Sequence, residues 1–259
     1  MTNAPTSPAY PPGRSLLAGK TVLVTAAAGT GIGFATAKRA SEEGARVVIS
    51  DIHARRLQEA LEQLGPNAHA LLGNVTDETD VQRLVDEAVE YGGGQLDVLV
   101  NNAGLGGTAL LTEMTDEQWF SVLDVTLTGT MRMTRAALRH MRGQGGGAIV
   151  NNASVVGWRA QEGQSHYAAA KAGVMALTRC AAIEAAPSNV RVNAVAPSLA
   201  MHPFLAKVTT EELLAELETR EAFGRAAEPW EVANVIVFLA SDLASYMTGE
   251  IVSVSSQHP

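Results

Sequence analysis

Thr21-Val22-Leu23-Val24-Thr25-Ala26-Ala27-Ala28-Gly29-Thr30-Gly31-Ile32-Gly33 is the stretch whose reading decides the fold of this 259-residue chain. Five β-branched or apolar residues make a short buried strand, and the small residues after it turn the chain into a helix. Glycine at such a strand-to-helix turn lets backbone approach a pyrophosphate, while the helix N-terminus offers free N–H groups and a partial positive charge. Downstream, Asp51 closes the next strand about 20 residues on, where a carboxylate accepts the hydroxyls of an adenosine ribose. Candidate dinucleotide contacts are therefore Gly29, Thr30, Gly31, Ile32, Gly33 and Asp51. The competing reading is a plain glycine turn followed by a surface aspartate. Asp51 repels a 2′-phosphate and the loop holds no Lys or Arg, which favours NAD; Arg55 and Arg56 follow closely and leave NADP open.

Outward from this turn, β-branched runs alternate with amphipathic stretches, the signature of successive βαβ units. Strands are predicted at 21–25, 46–50, 68–73, 96–100, 148–152, 190–195 and 251–254, and helices at 31–44, 54–64, 77–91, 116–142, 165–187, 209–221 and 229–241. Thr76 or Asp77, and Thr115 before Asp116-Glu117, read as helix N-caps. The glycine-rich 143–147 reads as a connector. The implied architecture is α/β: a doubly wound, seven-stranded parallel sheet with helices on both faces in one domain, 18–259. Pro5, Pro8, Pro11 and Pro12 make residues 1–17 read as a mobile arm.

Composition excludes several function classes. Nineteen Lys and Arg against 27 Asp and Glu give a net charge of −8, which argues against nucleic acid as a partner. The expectation is a soluble, cytoplasmic protein, because no run of about 18 apolar residues exists and the first residues lack a signal-peptide layout. The single Cys180 makes neither an internal disulfide nor a paired-cysteine metal site. His53, His69, His140, His166, His202 and His258 show no metal-ligand spacing, so no metal is expected.

A reaction centre is legible further on. Ser154 follows a strand, and Tyr167 and Lys171 lie at i and i+4 on the next helix, which places phenol and ammonium on one face. A phenol used near neutral pH needs its phenolate favoured by about 4 kcal/mol, and a neighbouring ammonium attracts in that sense. Ser154 would hold the substrate oxygen on which charge changes.

The glycine loop ending Gly31-Ile32-Gly33, Asn101-Asn102-Ala103-Gly104, Ser154 and Tyr167-Ala-Ala-Ala-Lys171, with Tyr167 13 residues after the serine, together resemble the short-chain dehydrogenase/reductase family from Leu17 onward. The resemblance implies a Rossmann fold, NAD or NADP as cofactor, and interconversion of a secondary alcohol and a ketone. It implies Tyr167 as general acid/base, Ser154 as the residue orienting the oxygen, and Lys171 as the group that binds the nicotinamide ribose and lowers the tyrosine pKa. Asn102, Ala103 and Gly104 would line the cofactor groove, joined by Asn74, Val75 and Pro197. The chain departs from the family in places. Thr25 to Gly31 spans six positions instead of five, with Gly29 taken to stand in for the missing first glycine. Thr126 aligns with the helix asparagine that completes a water-linked proton relay. Asn74 replaces an aspartate at the adenine, Ser198 replaces a glycine after Pro197, and Val254-Ser255-Ser256-Gln257 replaces Asp-Gly-Gly.

Substrate-facing segments follow Ser154 and the sixth strand, with a lid expected at about 198–226. Val156, Trp158, Met201 and Phe204, with Leu205 and Phe223, read as walls for a bulky apolar body or as lid packing. Arg159 and Lys207 are placed to meet an anionic carrier. Within the family the chain is most similar to actinobacterial reductases of steroid C- and D-ring degradation, which act on coenzyme A thioesters, and more loosely to 3-oxoacyl-thioester reductases. The helix at 168–186 is apolar on more than one face, and a homodimer or homotetramer is implied. The competing class is a non-catalytic cofactor sensor or scaffold.

Overall fold

Alternate residues of the first strand go to opposite sides of a sheet, and each side finds its own core. In the computed structural model, which describes residues 10–201 and 211–256, Val22 and Val24 pack with Ala37, Ala40, Ile49, Val150, Ile236 and Leu239. Leu23 faces the other way and packs with Val48, Leu84, Leu99, Met133, Met141 and Ile149. The sheet contains β1 (Thr21–Thr25), β2 (Arg46–Asp51), β3 (Ala68–Leu72), β4 (Val98–Asn101), β5 (Gly147–Asn152), β6 (Val190–Pro197) and β7 (Ile251–Val254). All pairings are parallel and the spatial order is β3-β2-β1-β4-β5-β6-β7. Sequence order reverses between β1 and β4, and the crevice beyond the strand ends there is where such sheets hold ligands.

The helices are α1 (Ile32–Glu42), α2 (Ala54–Leu64), α3 (Glu78–Tyr91), α4 (Asp116–Leu123), α5 (Gly129–Gln144), α6 (Ser165–Ala185), α7 (Glu211–Thr219) and α8 (Pro229–Ala240). Asp77 caps α3 by accepting from Asp80 N–H, and Thr115 and Gln118 form a reciprocal capping box on α4. The helix predicted over 116–142 is interrupted by a π-helical turn at Asp124–Thr128 and runs on to Gln144, where Gly145 ends it at φ +89. Leu96 lies outside the sheet, its N–H given to Gln144 Oε1, so β4 starts at Val98. Of the expected lid, 202–210 lies outside the described residues, which takes in His202, Phe204, Leu205 and Lys207. The flanking Ala200 pairs with Ala227, and Met201 N–H donates to Ala227 O. No described helix is long and apolar enough to cross a membrane.

Residues 10–17, assigned above to a mobile arm, are tied to the C-terminal turn of α1. Leu17 is fully buried. Arg39, buried with its partner Glu43, donates to the carbonyls of Pro11 and Pro12. Glu43 accepts from the N–H groups of Arg14 and Leu16. Four prolines remove amide donors, but their carbonyls remain acceptors, and one buried guanidinium collects two of them. Burial opposes ionisation of Glu43, yet the two backbone N–H groups and Arg39 outweigh it and hold the carboxyl below its ordinary 4.5.

A carboxyl held low adds stability above its unfolded pKa and loses it as pH falls through the folded value. Glu43→Gln is expected to cost about 3 kcal/mol at neutral pH by leaving Arg39 uncompensated, lowering Tm by roughly 6 °C or more. In calorimetry the gap to the parent should narrow in acid below the carboxylate range; an unchanged neutral Tm would remove this strap from the account.

Candidate active site

At the β1–α1 turn, helix α1 begins after Gly31, which is extended and brings no side-chain cap, and its first turn carries no acid. The leading N–H groups of α1 therefore have no intrahelical acceptor and no competing carboxylate. A Cβ on Gly33 would lie 2.4 Å from Asn102 Nδ2 and 2.5 Å from Ala26 O, so only glycine lets α1 come this close to the end of β4. The left-handed residue of the turn is Ala26, at φ +51. Gly29 has no such φ, and a Cβ placed on it would meet nothing within 4 Å. Asp51 is turned towards the loop, its Oδ2 accepting from Ala28 N–H at 3.2 Å. Its Oδ1 is engaged by His53 through the backbone N–H and Nδ1, so spare acceptor capacity lies on Oδ2. These features fit a bound dinucleotide: an open helix N-terminus for pyrophosphate, a glycine with no room for a side chain, and an oriented carboxylate for a ribose.

The Asn101–Gly104 segment joins this turn to the rest of the edge. Asn101 Nδ2 donates to Asn151 Oδ1 and Thr134 Oγ1, which fixes β4 to β5 and α5. Asn102 Nδ2 donates to Thr25 O and Ala26 O, while the N–H groups of Asn102 and Ala103 both reach Thr25 Oγ1. Gly104 sits where a Cβ would be 3.5 Å from Lys171 Nζ and 3.8 Å from Thr126 Oγ1.

The reaction centre forms where β5 ends. Ser154 is buried in the turn after the strand, and its Oγ accepts from Val156 N–H at 3.2 Å and shares a hydrogen bond with the Tyr167 hydroxyl. One turn along α6, Lys171 Nζ stands 5.5 Å from the Tyr167 ring centroid and donates to the Asn152 carbonyl. Lys171 is 3% exposed. Burial draws its pKa down to about 8 and pushes the Tyr167 phenol up to about 12, against a smaller lowering by Ser154. The expectation that the ammonium depresses the phenol is therefore not met in the free protein. Lys171 has lost its charge well before the phenol titrates, and its proton is directed at a carbonyl.

Other expected residues fall in different places. Thr126, fully buried in the π-helical turn, gives its hydroxyl proton to Leu105 O and accepts from Leu105 N–H. The hydroxyl proton and one lone pair go to anchoring the loop after Gly104, which leaves the second lone pair as an acceptor. Asn74 is exposed, with its Oδ1 occupied by Thr76 N–H. Val75 is buried, its side chain against Gly129, whose Cβ would meet Val75 Cγ2 at 2.7 Å. Pro197 ends β6 beside Val254. Trp158 is about half exposed at 48%, and Val156 and Met201 are half-buried. Asn151 and Asn152 were not anticipated as site residues. Two amides ending an otherwise apolar strand, just before Ser154, were the available signal.

Residues 26–256 match the family described as "Enoyl-(Acyl carrier protein) reductase". The chain is 61% identical over 252 residues, 95% of its length and 96% of the relative's, to the "(5R,7aS)-5-hydroxy-7a-methyl-1-oxo-2,3,5,6,7,7a-hexahydro-1H-indene-carboxyl-CoA reductase" of Mycobacterium tuberculosis. It is 42% identical to the 3-oxoacyl-(acyl-carrier-protein) reductase FabG of Thermotoga maritima, over 92% of this chain and 97% of that one. Among solved structures, a short chain dehydrogenase from Mycobacterium smegmatis superimposes with a TM-score of 0.87 at 58% identity, covering 98% of this chain and 99% of that one. The chain belongs to the short-chain dehydrogenase/reductase family and is an oxidoreductase acting between hydroxyl and keto groups, a chemistry that this family runs with NAD(P).

Proposed function

We propose that the protein reduces a ketone on a bulky coenzyme A thioester, with NADH favoured over NADPH. The observation that carries the catalytic reading is the Tyr167 phenol, hydrogen-bonded to Ser154 and one helical turn from a buried ammonium. When bound, the reduced nicotinamide supplies hydride. The chain's own residues supply the rest. Ser154 Oγ holds the carbonyl oxygen, and the Tyr167 hydroxyl gives that oxygen its proton as negative charge develops. Lys171 offsets the charge left on the phenol. At neutral pH the free site is poised for this direction, because Tyr167 holds its proton and Lys171 is still charged. A non-catalytic scaffold gives no reason for phenol, hydroxyl and ammonium to converge.

The substrate class rests on the relatives. One is named for a bicyclic indene-carboxyl-CoA ketone and another for 3-oxoacyl groups on a carrier protein. Apolar surface at Val156 and Trp158, in the turn that Ser154 caps, suits such a body. Preference for NAD rests on Asp51, whose carboxylate repels a 2′-phosphate. Self-association into a homodimer or homotetramer is supported by the groove between α5 and α6, whose lining combines Met131, Leu138, Leu177 and Ala181 with arginines, among them Arg135, and Glu184. A single exposed free thiol, Cys180, suits a reducing cytoplasm.

Tyr167→Phe is expected to lose activity by on the order of 10²–10⁴ while still binding NADH; parental turnover would sink the assignment. For ketone reduction, kcat/KM should fall as pH rises through about 8, where Lys171 discharges, and Lys171→Arg should move that limb upward because a guanidinium keeps its charge. A limb that stays in place in the arginine variant would contradict the role given to Lys171. Asp51→Ala should erase the NADH preference in parallel assays with both dinucleotides, and an unchanged ratio would contradict the choice of NAD. Better turnover of short alcohols or sugars than of any thioester or polycyclic ketone would overturn the substrate class.

A further inference from the structure

Two asparagines end β5, and the pleat sends them to opposite faces of the sheet. Asn151 has a partner at each end of its amide: its Nδ2 donates to Thr178 Oγ1 and its Oδ1 accepts from Asn101. Asn152 does not. Its Nδ2 donates to Asn102 Oδ1 at 3.0 Å, but its own Oδ1 is buried with no partner among the described residues. A buried acceptor left without a donor carries a free-energy penalty, so packing alone would favour an apolar side chain of the same shape here. A polar group kept at that cost, beside a reaction centre, points to a task other than holding the sheet.

Asn152 touches both halves of the site. Its main-chain carbonyl takes the hydrogen bond of Lys171 Nζ. Its side-chain amide holds Asn102, which in turn holds the carbonyls of Thr25 and Ala26 at the entrance to the glycine turn. Asn102 Nδ2 also fills the space beside Gly33, so Asn102 is packed directly against the start of α1. We propose that Asn152 is a positioning residue that couples the dinucleotide turn to the reacting lysine, through its carbonyl on one side and its amide on the other. This rests on the reading of the glycine turn as the dinucleotide site. A dinucleotide that spans the edge from Asp51 to Lys171 touches both ends of this chain of contacts. Displacing the middle link should therefore weaken its binding even though Asn152 lies apart from the turn.

The experiment compares the full-length parent with Asn152→Leu and Asn152→Asp. NADH binding is followed by protein fluorescence without turnover, stability by calorimetry, and kcat/KM across pH. Both variants keep the shape and lose the donor to Asn102. NADH binding is expected to weaken about tenfold or more in both, with Tm of Asn152→Leu within about 4 °C of the parent. The alkaline limb of kcat/KM should rise in Asn152→Asp, since a carboxylate beside Lys171 favours the ammonium. If Asn152→Leu loses more stability than that, Asn152→Asp decides: weakened binding supports the coupling, and parental binding overturns it. A parent that binds NADH with variants that bind it equally well overturns this inference alone. A parent that does not bind NADH overturns the dinucleotide reading and this inference with it.

Discussion

A lysine and a tyrosine buried together at the end of a parallel sheet, with no carboxylate among the described residues paired to the cation, are the constraint on which this site depends. Lys171 has the Asn152 carbonyl as its hydrogen-bond partner, and burial is the cause of its lowered pKa. A neutral acceptor satisfies one ammonium proton but does not offset loss of solvation, so the charge is held weakly, up to about pH 8. The same burial disfavours the phenolate and keeps Tyr167 protonated to about 12. The free protein thus rests with its proton on the phenol, because the hydrogen bond with Ser154 lowers it by less than burial raises it.

The fold makes this placement affordable by rigidity rather than by charge. Asn101, Asn151, Thr134 and Thr178 lock β4 and β5 to α5 and α6 with side-chain hydrogen bonds, which fixes the helix that carries Tyr167 and Lys171. On the other side of the switch between β1 and β4, Gly33 allows α1 to approach Asn102 closely enough to bring the free helix N-terminus to the same edge. The π-helical turn at Asp124–Thr128 draws Thr126 inward, where its hydroxyl closes on Leu105 and secures the loop over Lys171. Separate elements converge on one crevice, and the polar groups that bring them together are short amides and hydroxyls with few rotamers to lose.

Much of this was legible in the residues. The strand–glycine–helix stretch at 21–33, the alternation of strand and helix, and the Ser154, Tyr167 and Lys171 spacing led to the sheet and the reaction centre. Side-chain period reports burial well, so β1 and its neighbours could be read. Thr126 shows where such reading stops: alignment with a relay residue does not reveal that its hydroxyl proton is given to Leu105 O. The direction of the Tyr167 shift also eluded the sequence, because i and i+4 spacing gives proximity but not solvation. Residues 10–17 looked free because their prolines lack donors, and only the fold reveals the buried Arg39 and Glu43 that collect their backbone groups. Asn152 was hidden because an amide at a strand end is unremarkable until its neighbours are known.

Burial as the force that sets the protonation of this site is tested most directly by ultraviolet difference titration of the free protein against Tyr167→Phe. Between neutral pH and about pH 10, where an ordinary phenol ionises, the two proteins should give the same phenolate signal, because Tyr167 stays protonated. A phenolate present in the parent and missing from Tyr167→Phe at pH 8 to 9, on the order of one per chain, would show that the protein itself depresses the phenol and would contradict the account.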